Sequence, residues 1–485
     1  MVAYRLPLML IIIFCNFVVF GLPSAFCQSK KSISEKSQEC LSCHRLFTPG
    51  IYQDWRQSRH ATVTLQEALQ RPAKESRFSL NVYKQGSYQF VVGCAECHTR
   101  NPQSHSDTFE HHGYDVHVVV TPADCSHCHP KEKDQFVTQN KMAHAYGNLH
   151  HNPYYQNLIG AFSGPAKSEY HEQIDNCHGC HGTKVSVSGT EEIETATDPM
   201  IVPKLKGWPN MGIGRVNPDG SIGNCSACHG RHRFSIAVAR RPETCRRCHQ
   251  GSKSPAWEVY SESKHGLLQD STQNPEHLEA VPWKLGVDFS VPNCAVCHAA
   301  LIVDPAGAVI AERTHGFSER LWVRLFGLIY SHVQPVKADT SIIRNKRGIP
   351  LPTTLQGEPS NRFLIPDTEQ YVRKKKMKDL CQGCHSSQLV RQYFNHLNEN
   401  LDTINKAVEN TTEQMKKIWS AGKANDADPF DERLEALWVE QWMFLANSMR
   451  YAAAMGGMPD YILGHSRWWE FNKGFQVLKK AASQK

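Results

Sequence analysis

The chain has 485 residues, with 54 Lys or Arg, 47 Asp or Glu, 18 Cys and 26 His. Charged residues at 21% and hydrophobic residues at 40% exclude both a polytopic membrane protein and a disordered polyelectrolyte. The formal net charge of +7 is too diffuse to indicate nucleic-acid binding, and the length allows two or three domains' worth of core.

Residues 1–27 have the pattern of a cleaved secretory signal. Arg5 precedes an apolar stretch over residues 6–20, and Ala25 and Cys27 are the small residues that precede a cleavage site after Cys27. The alternative, a retained N-terminal anchor, fits less well because the apolar stretch is short for a membrane span. We therefore expect an exported protein with no membrane span once the signal is removed.

Two of the 18 cysteines lie in residues 1–27, and the other 16 form eight CxxCH motifs. Zinc knuckles and disulfide frameworks also use closely spaced cysteine pairs, but neither needs a His directly after every second Cys. CxxCH is the attachment signature of c-type haem, in which both thiols form thioethers and the adjacent imidazole binds the iron. The expected thioether cysteines are Cys40, Cys43, Cys94, Cys97, Cys125, Cys128, Cys177, Cys180, Cys225, Cys228, Cys245, Cys248, Cys294, Cys297, Cys381 and Cys384. The expected proximal iron ligands are His44, His98, His129, His181, His229, His249, His298 and His385.

These motifs predict eight covalently bound haems c, numbered here in chain order, and no disulfide. They also explain the histidine excess, because 26 − 8 leaves 18 His from which second axial ligands can come. The motifs are too closely spaced for a separate domain around each haem, so the porphyrins must form much of the core. Each haem adds about one net negative charge, which brings the protein near neutrality and leaves no support for a nucleic-acid partner.

Beyond residue 385 the apolar residues recur at helical spacing. The positions are Leu389, Tyr393, Leu397, Leu401, Ile404 and Val408 in one stretch, and Leu434, Trp438, Trp442, Leu445 and Met449 in the next. A breaker stretch over 422–429 separates these two predicted helices, and a third covers 468–482. We therefore expect a mostly α protein with a signal peptide (1–27), a haem-packed domain of short helices and loops (28–385) and a C-terminal domain of long helices (386–485).

Several segments resemble the octahaem hydroxylamine oxidoreductase (hydroxylamine dehydrogenase) family. The matching segments are 58–61 (SRHA), 228–235 (CHGRHRFS), 263–266 (SKHG) and 314–315 (TH). The resemblance covers about residues 38–478. It implies a mostly α homotrimer with seven six-coordinate haems and one open catalytic haem, the fourth, which here belongs to Cys177, Cys180 and His181.

The resemblance also assigns the second, distal axial ligands. Carried over by motif, they are His60, His112 or His117, His144, His232, His265 and His315. A further family His, just before a C-terminal Pro, is missing here, because Met458 precedes Pro459. The distal ligand of haem 8 therefore stays open, with His465 and His332 as candidates.

Two departures from the family bear on the direction of the reaction. Hydroxylamine-oxidising members crosslink a Tyr of a neighbouring subunit to the catalytic haem; the matching position here is Gly464, and Tyr461 lies three residues away. The family's proton-accepting Asp-His pair is replaced by Lys253 and Ser254. A cation and a hydroxyl suit anion binding and proton delivery, although a solvent-facing Lys253 in a shifted loop explains that residue equally well.

These departures favour reduction over oxidation. We expect nitrite, a small nitrogen compound, to be reduced at the haem of His181, to NO or further to hydroxylamine or ammonium, with Lys253 and Ser254 as catalytic residues. One alternative is oxidation of hydroxylamine or hydrazine with Tyr461 crosslinked. Another is a non-catalytic electron-transfer cytochrome in which every haem is six-coordinate.

The expected partners follow from the same resemblance. We expect a homotrimer, alone or within a larger complex, that exchanges electrons with a small cytochrome or another electron carrier. The basic run over 373–378 is either a docking patch for an acidic partner or a solvated helix face. Export places the protein in the periplasm or an equivalent compartment, which in an anammox bacterium is the anammoxosome lumen. The redox partner, the haem potentials and the final product stay open.

Overall fold

The computed structural model describes residues 31–79, 89–152, 177–195, 199–251, 254–271, 277–326, 329–427, 429, 431–455 and 467–484. Helices dominate this part of the chain, and its strands form small sheets of two or three strands. The prediction of a mostly α protein is confirmed. The expected signal at 1–27 lies outside the described residues, and no described helix is long and apolar enough to cross a membrane.

Short helices joined by loops make up the chain as far as residue 385. They are α1 (Glu35–Phe47), α2 (Pro49–Arg56), α3 (Arg59–Thr62), α4 (Leu65–Leu69), α5 (Cys94–His98), α6 (Pro122–Cys125), α7 (Pro130–Asp134), α8 (Ala145–His150), α9 (Ser226–His229), α10 (Ile236–Arg240), α11 (Pro242–Arg246), α12 (Ala256–Glu262), α13 (Lys264–Ser271), α14 (Cys294–His298) and α15 (Asp367–Gln382). A helical turn also covers 177–181. Single 3₁₀ turns cover Pro102–Ser104, Lys141–His144 and Asn361–Phe363, and a π-helical turn covers Gln135–Gln139.

Small sheets brace the loops between these helices. The strands are β1 (Thr108–His111), β2 (Tyr114–His117), β3 (Ser186–Ile193), β4 (Met200–Lys206), β5 (Trp283–Lys284), β6 (Ile302–Val303), β7 (Val309–Ala311), β8 (Val323–Arg324) and β9 (His332–Val333). Strands β1 and β2, β3 and β4, and β8 and β9 pair antiparallel, while β6 lies between a parallel β5 and an antiparallel β7.

Long helices follow residue 386, as predicted. They are α16 (Ser387–Ser420), then α17 (Arg433–Glu440) continued by a π-helical turn (Gln441–Leu445) and α18 (Ala446–Met455), and finally α19 (Arg467–Ser483). At 1.5 Å per residue, the 34 residues of α16 span about 51 Å. Ser386 begins this helix, because its Oγ accepts the Leu389 N–H at 3.3 Å.

The apolar faces of these helices meet in one hydrophobic core. Ile404 and Val408 of α16 are fully buried there together with Trp438 of α17. Leu389, which opens the predicted stripe, is 50% exposed. The same core includes Ile329 and other residues that precede 386. The C-terminal helices therefore pack on the preceding part of the chain, and a domain boundary at 385/386 stays a prediction.

The basic run over 373–378 lies on α15 and partly turns towards the protein. The Nζ atoms of Lys374 and Lys378 lie 5.9 and 5.3 Å from the ring centre of Phe394. Such cation–π contacts are favourable for a lysine that lies along an apolar surface. These contacts explain two of the lysines as part of an ordinary helix face. A docking role for the basic run stays a prediction.

Candidate haem-binding site

The CxxCH motifs form single helical turns. The N–H of His129 donates to the Cys125 carbonyl at 2.9 Å, and the N–H of His385 donates to the Cys381 carbonyl at 2.9 Å. One helical turn brings the side chains at positions i, i+3 and i+4 to the same face. Both thiols and the imidazole of a motif therefore face one side, as attachment of a haem through two thioethers and one axial ligand requires.

Buried asparagines fix the start of two of these turns. Asn293 Oδ1 accepts the N–H of Ala295 at 3.0 Å and that of Val296 at 3.3 Å, directly before α14. Asn224 Oδ1 accepts the N–H of Ser226 at 3.2 Å before α9. Each cap contributes about 1 kcal/mol to the helical turn, so these motifs hold their shape through local hydrogen bonds.

Five proximal histidines face a second imidazole across a gap that fits an iron atom. The ring centres are 6.1 Å apart for His44 and His111, 6.4 Å for His98 and His232, 6.4 Å for His129 and His60, 6.4 Å for His229 and His315, and 5.9 Å for His385 and His265. Two metal–nitrogen bonds of about 2 Å, plus roughly 1 Å from each nitrogen to its ring centre, add up to about 6 Å. These pairs therefore fit bis-histidine haem iron, and they give His60, His232, His265 and His315 a specific partner.

Burial keeps these distal imidazoles neutral. It lowers the pKa of His60 and of His232 to about 4, and that of His315 to about 3, because a charged ring is disfavoured away from water. Nearby cations and histidines lower these pKa values further. A neutral imidazole has the free lone pair that iron ligation requires.

A tight hairpin places His111 opposite His44. His111 ends β1 and pairs with Tyr114, and the two residues between them, His112 and Gly113, have φ of 50° and 85°, as a type I′ turn requires. The structure thus places His111 opposite the His44 ring, while a ligand role for the expected His112 or His117 stays a prediction. Tyr114 anchors the hairpin beside the first motif.

That anchor is a hydrogen bond to α1. The hydroxyl of Tyr114 donates to Glu39 Oε2 at 2.6 Å, one residue before Cys40. His117 lies further along the hairpin, where its carbonyl accepts the Nδ1–H of His98 at 2.8 Å. His117 therefore orients a proximal ligand, and its ring stacks on His105 with centres 3.6 Å apart.

One turn directs two histidines towards different partners. Within 229–235, Gly230, His232 and Phe234 have positive φ values of 73°, 62° and 43°. Positive φ is rare for residues other than glycine and concentrates at functional sites. The turn directs His229 towards His315 and His232 towards His98.

Neighbouring motifs lie against one another. Thiols of different motifs are in hydrogen-bond contact in the pairs Cys125–Cys225, Cys180–Cys248 and Cys245–Cys294. Other pairs are close enough to influence each other's ionisation, namely Cys40–Cys94, Cys97–Cys128, Cys228–Cys245 and Cys297–Cys381. The eight motifs therefore form one connected row that branches at the sixth motif, which contacts the fourth, the fifth and the seventh.

A continuous cavity of about 1660 Å³ runs beside this row. Its wall includes cysteines of six motifs, from Cys97 to Cys381, together with His60, His265 and His315. Thiols and neutral imidazoles facing one large recess form the donor set of covalently bound haem. The residues thus fit the cofactor that the motifs predict.

Hydrogen bonds from Nδ1 orient two further proximal rings. The His181 Nδ1–H donates to the Ala145 carbonyl at 3.1 Å. His249 Nδ1 lies 3.2 Å from Ser254 Oγ, and the Ser254 hydroxyl also hydrogen-bonds Tyr451. Such contacts hold a ligating ring in place and tune the metal. Ser254, expected as a catalytic residue, thus contacts the imidazole of the sixth motif.

Other expected site residues have different contacts or lie outside the described residues. His144 faces no proximal ring in the described part of the chain, and its Nε2 instead donates to the Val137 carbonyl at 2.7 Å. His332 is buried with its Nδ1 near the Val333 carbonyl at 2.7 Å. Lys253, Tyr461, Gly464 and His465 lie outside the described residues.

Comparisons with known proteins agree with this geometry. Residues 219–313 match the family model "Seven times multi-haem cytochrome CxxCH", and residues 39–117 and 124–201 match "Cytochrome c554 and c-prime". A solved structure called a hypothetical multiheme protein is 38% identical, covers 93% of this chain and 96% of its own, and superposes with a TM-score of 0.85. The chain belongs to the hydroxylamine oxidoreductase-like family of multihaem cytochromes.

Two proteins from Kuenenia stuttgartiensis are similar to this multihaem cytochrome, one in sequence and one in fold. A probable nitrite reductase-hydroxylamine oxidoreductase fusion protein is 24% identical over 403 residues, which are 80% of this chain. The chain spans only 38% of that relative's length. A reducing HAO-like protein complex has the same fold, with a TM-score of 0.60 at 17% identity over 92% of this chain and 84% of that one.

Proposed function

We propose that this multihaem cytochrome carries eight haems c and reduces nitrite at the fourth, attached to Cys177 and Cys180 and ligated by His181. The observation that carries the proposal is the connected row of attachment motifs, which gives electrons a path to the fourth motif. In the simplest reaction, NO₂⁻, one electron and two protons give NO and H₂O; further electrons give hydroxylamine or ammonium.

The contacts between motifs define that path. The Cys180–Cys248 contact joins the fourth motif to the sixth, and Cys245–Cys294 joins the sixth to the seventh. Motifs in contact hold their macrocycles close to one another, and short separations favour electron transfer between them. The facing imidazole pairs support this role, because an iron with two histidine ligands exchanges electrons without binding substrate.

The chain's own residues position the reacting centre. The Ala145 carbonyl holds the His181 ring through Nδ1 and leaves Nε2 for the iron. A bound haem supplies electrons and an iron that binds a small nitrogen oxide. Lys253, which follows the sixth motif, attracts the anion and delivers a proton, while Ser254 acts through His249.

The names of the relatives support the reductive direction. One relative is named as a nitrite reductase-hydroxylamine oxidoreductase fusion, and one solved complex as reducing. The missing crosslink position at Gly464 adds to this, because the crosslink belongs to the oxidising members. The proposal includes export, a homotrimer and a small electron-carrier partner.

Turnover of the holoprotein tests the proposal. Nitrite with a reduced viologen donor is expected to be consumed, and counting NO, hydroxylamine and ammonium identifies the end product. Lys253→Gln is expected to raise the KM for nitrite, whereas the matched change Lys479→Gln on α19 leaves it unchanged. No nitrite consumption by a fully haem-loaded protein would contradict the proposal.

Oxidation of hydroxylamine or hydrazine is the second candidate function, since one relative's name also includes hydroxylamine oxidoreductase. It requires the Tyr461 crosslink, which gives the reduced catalytic haem a distinct long-wavelength band. That band in the dithionite-reduced protein would favour this candidate. A reduced protein that binds neither CO nor NO would instead indicate a pure electron-transfer cytochrome.

A further inference from the structure

A cluster of positive side chains lies inside the protein, partly in the wall of the large cavity. Arg450 of α18 is fully buried, and its Nη2 donates to the Ile329 carbonyl at 2.7 Å and to Asn405 Oδ1 at 3.3 Å. Its Nε and Nη1 are buried and have no hydrogen-bond partner among the described residues. A buried guanidinium with two unsatisfied N–H groups costs several kcal/mol unless an acceptor is supplied.

His332 brings a second unsatisfied group to the same place. It is 6% exposed, its Nδ1 contacts the Val333 carbonyl, and its Nε2 has no partner in the part of the chain that the structure describes. Burial and the charges of Arg324, Lys141 and Arg450 lower the pKa of His332 to about 3. Asn405 Oδ1, which accepts the hydrogen bond from Arg450, also accepts the N–H of Ser331 at 3.1 Å, and this places Arg450 next to the residue that precedes His332.

The β8–β9 ribbon explains how these residues meet. His332 pairs directly with Arg324, so their side chains share one face of the ribbon, and Gln334 shares that face two residues on. Lys141 lies over this face, with Nζ donating to Gln334 Oε1 at 2.7 Å and to Ser318 Oγ at 3.2 Å.

The charges near Lys141 are positive as well. Burial lowers the pKa of Lys141 to about 7, and Arg324 and Arg373 lower it further. Lys141, Arg324 and Gln334 also line the large cavity, so an anion in the cavity reaches them directly. Arg373 has its own carboxylate, because its Nε donates to Glu369 Oε1 at 2.8 Å. Among the described residues no carboxylate pairs with Lys141, Arg324 or Arg450, and a bound anion compensates such a group of cations best.

We propose that Lys141, Arg324, His332 and Arg450 form an internal site for a small anion with carboxylate or nitrite-like oxygens. Two sources have this chemistry: a free inorganic oxyanion and a propionate of a bound haem. Both accept hydrogen bonds from Lys141 and from the guanidinium of Arg324. The proposed anion site does not depend on the proposed nitrite reduction, because the evidence for it is the burial and the charge of these side chains.

Crystals of the holoprotein soaked in bromide test the site and separate the sources. A free-anion site is expected to give an anomalous peak among these four side chains. A propionate site is expected to show haem carboxylate oxygens within hydrogen-bond distance of Lys141 and Arg324, with no bromide. Density for water alone, or for a carboxylate of the protein, would overturn the proposal.

Variants give a second readout in solution. Lys141→Met is expected to weaken stabilisation by bromide about tenfold at constant ionic strength if the anion is free. If the anion is a propionate, the same change lowers the reduction potential of one haem, since the propionate charge that the lysine no longer neutralises favours the ferric state. Arg344→Met, which alters an exposed arginine, is the control. No difference between the two variants in either readout would overturn the site.

Discussion

Replacing Ser254 by Ala removes the hydroxyl that meets the ring of His249. Ser254 Oγ lies 3.2 Å from His249 Nδ1, and it also hydrogen-bonds the half-buried Tyr451. A hydrogen bond accepted from Nδ1 increases the electron density that the ring donates to iron, which favours the ferric state. The change is therefore expected to raise the reduction potential of the haem attached to Cys245 and Cys248.

The size of the shift follows from the strength of this bond. A hydrogen bond between neutral groups contributes about 1 kcal/mol. For a one-electron couple, a tenfold change in equilibrium constant is about 59 mV, so complete loss of the bond raises the potential by about 40 mV. Ser254→Asp is expected to lower the potential by about twice as much, because a charged acceptor makes a stronger bond.

Potentiometric titration of the holoprotein, followed by absorbance and by EPR of the ferric haems, measures the shift. Ser261→Ala is a matched control, because the Ser261 hydroxyl donates to the Glu258 carbonyl at 3.0 Å within the same helix and contacts no haem ligand. If Ser254→Ala and Ser261→Ala titrate identically, Ser254 does not tune His249.

Three further predictions concern the facing pairs and the core. His232→Ala is expected to convert one low-spin haem into a high-spin haem that binds CO. His396→Ala, on the exposed face of α16, is the control and is expected to create no high-spin haem. A spectrum of the His232 variant that equals that of the parent protein would contradict the pairing of His232 with His98. Ile404→Ala, at a fully buried position, is expected to cost about 2–5 kcal/mol in unfolding free energy, while Leu389→Ala costs far less; equal losses would contradict the packing. Burial, with the Glu432 carboxylate adding to it, raises the pKa of Glu435 from 4.5 to about 7 although the Trp419 indole N–H opposes this. Between those values the folded state holds a proton that the unfolded state releases, so stability falls as pH rises through this window. Glu435→Gln is expected to remove that slope in thermal unfolding, and a slope equal to that of the parent protein would refute the assignment.

The sequence predicted the features whose signal is local. The CxxCH spacing predicts a helical turn with its thiols and imidazole on one side, and the structure shows such turns because that spacing matches the helix period. The C-terminal helices were predicted in the same way, from apolar residues that recur every three or four positions. The exposed Leu389 shows that periodicity alone does not tell where a buried stripe begins.

The features that sequence reasoning missed depend on contacts between distant segments. A hairpin turn at residues 112–113 brings His111, one position from the expected His112, to His44. Ser254 meets His249 through a loop, and its role depends on Tyr451, which lies far along the chain. The presence of two adjacent histidines at 111–112 was the available signal, but the choice between them requires the register of the hairpin.

The central claim is that electrons run through a row of haems to nitrite. Mixing the fully reduced holoprotein with nitrite under anaerobic conditions tests this claim most directly. We predict that all haems reoxidise, with the number of electrons lost equal to the number that the nitrogen products have gained. The claim would be contradicted if the haems stay reduced in the presence of nitrite while hydroxylamine reduces the oxidised protein. That result would indicate oxidation of hydroxylamine instead of reduction of nitrite.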